Sequence, residues 1–274
     1  MNFIEKIKLR HRALKYKNRD DKGGIAYINE AVKNGNTVLD IGAHKGGYLY
    51  FMQQLVGAKG QIHAFEPQSL LYAYLVKMKP IMRWNNVTIN NIALSDNDAT
   101  ATLYIPSNLT GQSSSPSATI YEQHNLGAVT NTETVFTTTM DQYCEKHQIK
   151  PDVLKIDVEG NELKVFKGAI QILQKYKPKI IVEIEAVHVG QERVLETIAF
   201  LTQLGYSGKF ICGTAQLPIA EFTFEQMQFR EFNVMDINND GWLDIVLNPF
   251  AFGKLFRLGG SGKMGDWGTG GVYL

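Results

Sequence analysis

Cysteine is scarce: the 274 residues hold two, Cys144 and Cys212, far apart in sequence. They form no metal-type pair, and free thiols in a reducing cytosol are the expected state. Charge of one sign is also lacking. Lys and Arg number 28 against 27 Asp and Glu, so a net charge of +1 gives no overall pull toward nucleic acid. No apolar run approaches the length of a membrane span, and the N-terminal stretch has no apolar core of the secretory type, so a cytoplasmic location is expected. No internal repeat is present. What remains is ordinary for a globular chain: 44% hydrophobic and 20% charged residues, at a length that suits one well-buried domain with additions.

Charge is concentrated at one place. The segment FIEKIKLRHRALKYKNR carries seven Lys or Arg against one Glu, and Ile4, Ile7, His11 and Leu14 share one helical face. A basic amphipathic helix can lie on an anionic membrane or grip an acidic polymer. The commoner arrangement packs the apolar stripe on the domain and solvates the rest, and that is the expectation. Peripheral membrane contact stays as the alternative.

From Lys22 onward, short strand-like runs alternate with helical stretches. TVLDIG, QIHAFEP, NVTINNIAL, ATATLYIP, TVFTTTM, VLKIDV, IIVEIEAV and DIVL read as strands. GIAYINEAVKNG, YLYFMQQLV, SLLYAYLVKMK up to Pro80, DQYCEKHQ with Asp141 near its start, NELKVFKGAIQILQKY and QERVLETIAFLTQLG read as helices. This alternation implies an α/β fold with a mostly parallel sheet covered on both faces. Between ATATLYIP and TVFTTTM runs a polar stretch too long for an ordinary connection, which suggests a lid or a mobile loop. The final RLGGSGKMGDWGTGGVYL is too rich in glycine for regular structure.

In open α/β sheets, ligands bind at the carboxyl ends of the strands, where the strand order reverses. The first such end reads VLDIGAHKGG. A dinucleotide site needs G-x-G-x-x-G, so that backbone amides approach the pyrophosphate. Here His44 replaces the middle glycine, and no G-K-[ST] follows. A phosphate-free ligand fits better, and S-adenosyl-L-methionine is the leading candidate. Its ribose needs a carboxylate to accept two hydroxyl hydrogen bonds, and its amino-acid tail needs an acid and backbone amides. Asp40 precedes the turn. Glu66 ends the next strand, about the interval at which a ribose-binding acid is expected.

Five segments, LDIGAHKGGY, AFEP, NIALSD, TTTMDQYCEKHQIKPDVLKIDVEGNELKVFKGA and KPKIIVEIEAVH, occur in this order across residues 38–188. Together they resemble the FkbM family of S-adenosylmethionine-dependent methyltransferases. The resemblance implies a class I, Rossmann-like fold of seven strands, mostly parallel, with an antiparallel C-terminal hairpin. It also implies methyl transfer to a hydroxyl of a glycan, glycolipid or natural product. In the family's manner, Gly160 and Gly168 bracket a helix after the fourth strand. With the basic helix at 1–21 and the glycine-rich tail at 253–274 outside the match, the methyltransferase domain is expected at 22–252. Carried over by position, Asp40, Gly42, Ala43, His44 and Gly46 line the methionine end of the cofactor. Glu66 with Pro67 holds the ribose, Asn91 and Ala93 the adenine, and Asp157 lies near the transferring methyl. The family's turn usually reads G-A-N, so His44 is a departure. A family serine near SSSPS suggests acceptor contact for Ser114 and Ser115.

A hydroxyl acceptor must lose a proton, which requires a base within hydrogen-bond reach. Asp157 and Glu159 end one strand; Glu183 and Glu185 share one side of the next, and His188 follows. The expected catalytic set is Asp157 and Glu185 positioning the acceptor, with His188 or Glu185 as base, while Glu159 caps the helix after Gly160. No metal is expected. DINNDGWLD, residues 236–244, has the spacing of a calcium loop, but its twelfth position is Leu247 and it reads better as a hairpin turn. Two rival functions stay open. One is N-methylation, against which stands D-V-E-G in place of an N/D-P-P-[YFW] motif. The other is a non-catalytic subunit that keeps the cofactor fold.

Overall fold

The computed structural model describes residues 2–106, 118–120, 129–184, 186–212, 215–222, 224 and 244–248. Numbered in chain order, the main sheet is built from β1 (Thr37–Ile41), β2 (Gln61–Phe65), β3 (Val87–Asn90), β7 (Val153–Ile156), β8 (Lys179–Glu183), β9 (Ser207–Cys212), β10 (Ala215–Pro218) and β11 (Asp244–Asn248). A three-stranded sheet of β4 (Ala93–Leu94), β6 (Val129–Thr138) and β5 (Ala99–Pro106) stands beside it, in that order.

The main sheet runs β10-β9-β11-β8-β7-β1-β2-β3. Its five neighbours from β8 to β3 pair in parallel, while β11 lies antiparallel between β8 and β9. The α/β class and the mostly parallel sheet are as expected. Where seven strands are expected, the described residues place eight in this sheet, five of them in the parallel run. β10 adds the eighth as an antiparallel edge on β9. The residues of the calcium-like turn other than Asp244, the serines Ser114 and Ser115, and the glycine-rich tail lie outside the described residues.

Side chains alternate across each strand, so each strand serves two cores. Leu39, Ile41, Phe65, Leu154, Ile156, Ile180 and Val182 face α5 (Met140–His147), α6 (Glu162–Lys167), α7 (Ile170–Tyr176) and α9 (Gln191–Gln203). Val38, Ile62, Ala64, Val153 and Ile181 face α1 (Asn2–Lys15), α2 (Lys22–Ala31), α3 (Gly47–Val56) and α4 (Ser69–Met82). The short α8 (Ala186–Val189) follows β8.

Two local readings from periodicity are corrected. The stretch 161–176 forms two helices rather than one, parted at Gly168, where a Cβ would overlap the carbonyl oxygen of Ser95. Asp141 sits in the first turn of α5, as expected, with Thr139 as the cap; its carboxylate accepts the amides of Gln171 and Ile172 at 3.0 and 2.9 Å, capping α7. Pro80 does not end α4, which continues to Met82 and stops at left-handed Arg83.

The N-terminal helix is corrected as well. Leu9 and Ala13 are its fully buried residues, whereas Ile4, Ile7 and Leu14 of the expected core stripe are exposed. Leu9 joins the cluster of Leu49, Leu75 and Trp84 beneath the helix. A Cβ on Gly47 would strike the ring of Tyr16, so the bare backbone there seats the turn that follows α1.

Candidate functional site

A cavity of about 430 Å3 opens at the carboxyl ends of β1, β2, β7 and β8, within the size range of small-molecule sites. It straddles the point where the order reverses, since β1 leads to β2 and β3 on one side while β7 and β8 lie on the other.

The turn after β1 forms the first wall. Gly42 adopts φ +82°, and a Cβ there would overlap the carbonyl oxygen of Asp157. His44 is also left-handed, with φ 47°. The amides of Gly42 and Ala43 both donate to the Phe65 carbonyl, at 3.1 and 3.0 Å, and that of Gly46 donates to Ala43 at 2.8 Å. The amide of His44 donates to Glu66 at 2.7 Å. These amides close the turn against β2 and do not point out as an anion cradle. Burial holds the His44 ring neutral, pushing its pKa down to about 4, and Nε2 is buried without a hydrogen-bond partner.

Glu66 follows β2. Its two oxygens accept the amides of His44 and Gln68, and Asn91 Nδ2 ties the loop by donating to the carbonyls of Glu66 and Pro67 at 3.1 and 2.9 Å. Burial raises its pKa to about 7 against those two hydrogen bonds. Each oxygen takes one amide and keeps a lone pair for a further donor.

Beyond β7 lies a buried charged row. Asp40 of β1 and Lys155 of β7 are register partners on the same face of the sheet. Lys155 Nζ donates to the Gly42 carbonyl at 2.9 Å and to Asp157 at 3.1 Å, with Asp40 at 3.8 Å and the Tyr48 ring beneath it at 5.3 Å. Burial opposes its charge, but Asp157 and Asp40 outweigh that and raise its pKa. Asp40 is fully buried, and its pKa rises to about 6 because desolvation exceeds the attraction of Lys155.

The last wall comes from the N-terminal segment. A π-helical turn, Tyr16–Asp20, follows α1, and Tyr16, Asp20 and Asp21 all line the cavity. Asp21 accepts the Gly24 amide at 2.7 Å and the Tyr48 hydroxyl. Burial, reinforced by Asp157, raises the Tyr16 pKa to about 12, so its hydroxyl stays protonated.

Of the residues anticipated from sequence, Gly42, Ala43, His44, Glu66, Pro67, Ala93 and Asp157 come together around this cavity. Three stand behind it: Asp40 under Lys155, Gly46 against Leu75 and Trp84, and Asn91 bracing the Glu66 loop. Glu185 lies outside the described residues, and His188 falls in α8. Glu159 does not serve as a helix cap; it lines the cavity at φ 53°, and Glu162 takes the amide of Gly160 at 2.9 Å. Tyr16, Asp20, Asp21, Tyr48 and Lys155 were not anticipated. Only Lys155 left a signal, as a lone cation in the apolar run VLKIDV.

The sequence profile of the methyltransferase FkbM domain matches residues 40–207. Among solved structures, the methyltransferase FkbM of Methylobacillus flagellatus KT is 13% identical at a TM-score of 0.49, with 81% of this chain and 50% of that one covered. The chain thus spans half the length of that protein. A putative rRNA methylase from Clostridium thermocellum is 15% identical at a TM-score of 0.50, covering 84% of this chain and 96% of that one. A fibrillarin of Aeropyrum pernix, solved with natively bound S-adenosyl-L-methionine, is 13% identical at 0.43, covering 83% and 74%. Such identities speak to the fold alone. No curated protein matches.

Proposed function

The chain belongs to the FkbM family of S-adenosylmethionine-dependent methyltransferases, and on that premise we propose that it methylates a hydroxyl of a glycan, glycolipid or natural product. One observation carries the reading. Glu66 keeps lone pairs for hydroxyl donors while the neighbouring turn amides are used internally, so the cavity suits a nucleoside and not a pyrophosphate.

The residues present fit S-adenosyl-L-methionine. Glu66 would accept the ribose hydroxyls, the loop bearing Ile92 and Ala93 would flank the base, and His44 Nε2 offers a buried polar atom to the amino-acid tail. When bound, that group supplies a methyl carbon activated by a sulfonium leaving group.

The chain's own task is to orient the acceptor oxygen and take its proton. Alignment of this kind contributes roughly 7–11 kcal/mol in favourable cases. Besides Glu66, five carboxylates line the cavity, Asp20, Asp21, Asp157, Glu159 and Glu183, and carboxylates accept hydrogen bonds from hydroxyls. Lys155 pins Asp157 by its ion pair and leaves the other carboxylate oxygen for an acceptor hydroxyl. The Tyr16 phenol adds a donor. The proton goes to Glu183, which ends β8 and lines the cavity, or to Glu185 or His188, as the sequence suggests. An amine acceptor would also be drawn to this acidic wall, so it forms the competing arm of the test.

The test is transfer of labelled methyl from S-adenosyl-L-methionine to panels of sugar, polyol and amine acceptors. Label in alkali-stable ethers supports the reading. Label confined to amines refutes it. Single Ala variants of Asp157, Glu185 and His188 are expected to include at least one with turnover reduced a hundredfold or more; full turnover in all three would refute that assignment.

A further inference from the structure

The helix α1 uses two opposite faces. One packs: Leu9 and Ala13 are fully buried, and Arg12 reaches the Lys45 carbonyl at 3.3 Å. The other face carries Phe3, Ile4, Ile7 and Leu14, exposed at 74, 57, 50 and 38%. At 3.6 residues per turn, Phe3, Ile7 and Leu14 fall on one line, with Ile4 and exposed His11 along its edge. Cations border this stripe on both sides. Lys6 and Arg10 lie along one flank, Lys8 and Lys15 along the other, and all four are exposed.

A helix held to its domain by Leu9 and Ala13 has no need of four large apolar residues on its far side, and leaving them in water costs free energy. An apolar stripe between two rows of Lys and Arg matches the boundary of an anionic bilayer. There the stripe enters the acyl region while the cations meet phosphate. An acidic polymer would engage the cations and leave the stripe wet. A second copy of this helix would bring the cationic rows together.

We propose that the outer face of α1 docks the protein on anionic membrane surfaces, with Phe3, Ile4, Ile7 and Leu14 inserted and Lys6, Lys8 and Arg10 on lipid phosphates, while Lys15 stays paired with Asp20 at 2.7 Å. This inference does not rest on the methyl-transfer reading. It leaves the Leu9 and Ala13 contacts intact, so docking requires no rearrangement of the domain.

The experiment is co-sedimentation of the full chain with vesicles of phosphatidylcholine alone, or of phosphatidylcholine and phosphatidylglycerol in equal parts. Binding is expected to the mixed vesicles only, and to weaken as salt rises. Because Lys6 and Arg10 are exposed, the double variant K6Q/R10Q should keep its fold and bind about 25-fold more weakly, at roughly fivefold per charge near an anionic surface. Ile7→Glu should bind at least tenfold more weakly, with its melting temperature unchanged. Three results would overturn the proposal. These are no binding to mixed vesicles, equal binding by Ile7→Glu, and a dimer by light scattering that Ile7→Glu dissolves, which would assign the stripe to a second copy.

Discussion

The two faces of the central sheet are built from the same four strands and put to different uses. On the face toward α5, α6, α7 and α9, Leu39, Ile41, Phe65, Leu154, Ile156, Ile180 and Val182 form a dry core. The opposite face starts alike, with Val38, Ile62, Val153 and Ile181, then changes toward the strand ends to Asp40, Lys155 and Glu183. Period two puts these three charges on one face, and parallel register makes Asp40 and Lys155 neighbours. The apolar face holds the fold by burial. The charged end of the other face is costly to desolvate, and it lies where the cavity opens.

Replacing Lys155 should separate the faces most sharply. Lys155→Met leaves Asp40 and Asp157 facing each other without a cation, and breaking a buried pair in this way costs about 3–5 kcal/mol. Denaturant unfolding should show that loss, and Asp40→Asn in the same chain should recover part of it. If Lys155→Met unfolds like the parent, the charged row is not the structural unit described.

Glu66 gives the next effect, on binding. In Glu66→Gln, affinity for S-adenosylhomocysteine should fall about 10- to 100-fold, the range for hydrogen bonds to a charged group. The parent should also respond to pH. Its Glu66 pKa is about 7 in the free protein, and hydroxyl donors favour the ionised form. Binding therefore releases a proton below that value. Affinity should rise with pH by up to about tenfold per unit until near 7 and level off above. His44, with its pKa near 4, titrates below this window. Calorimetry from pH 5.5 to 8 checks the slope, and Glu66→Gln should flatten it.

The smallest effect belongs to the dry face. Ile156→Val should cost about 0.5–1.5 kcal/mol in unfolding and leave ligand affinity unchanged. A matching loss of affinity would mean that the two faces are coupled and not separate in function.

Much of this division could be read in the sequence, and what escaped has common causes. Continuous apolar runs located β1, β2, β7 and β8, and glycine marked the turn after β1. With the family resemblance added, these signals pointed to Gly42, His44, Glu66 and Asp157, which the structure brings around one cavity. The break at Gly168 is part of the family resemblance, whose Gly160 and Gly168 bracket a helix, while periodicity alone runs straight through it. Tyr16, Asp20 and Asp21 escaped because the residues that place them are distant in sequence. Their place in the cavity wall depends on the seating of Tyr16 against Gly47. The stripe of α1 misled because apolar size suggested a core face, whereas the domain buries Leu9 and Ala13 on the opposite side.

The central claim is that the strand ends hold an adenosine sulfonium through Glu66 and offer no cradle for phosphate. Its most direct test is a calorimetric titration of the full chain at pH 8 with S-adenosylmethionine, with S-adenosylhomocysteine and with a nicotinamide dinucleotide. Saturable binding of the first two, weakened in Glu66→Gln, and none of the third is the predicted result. Binding of the dinucleotide with indifference to the two sulfur compounds would contradict it.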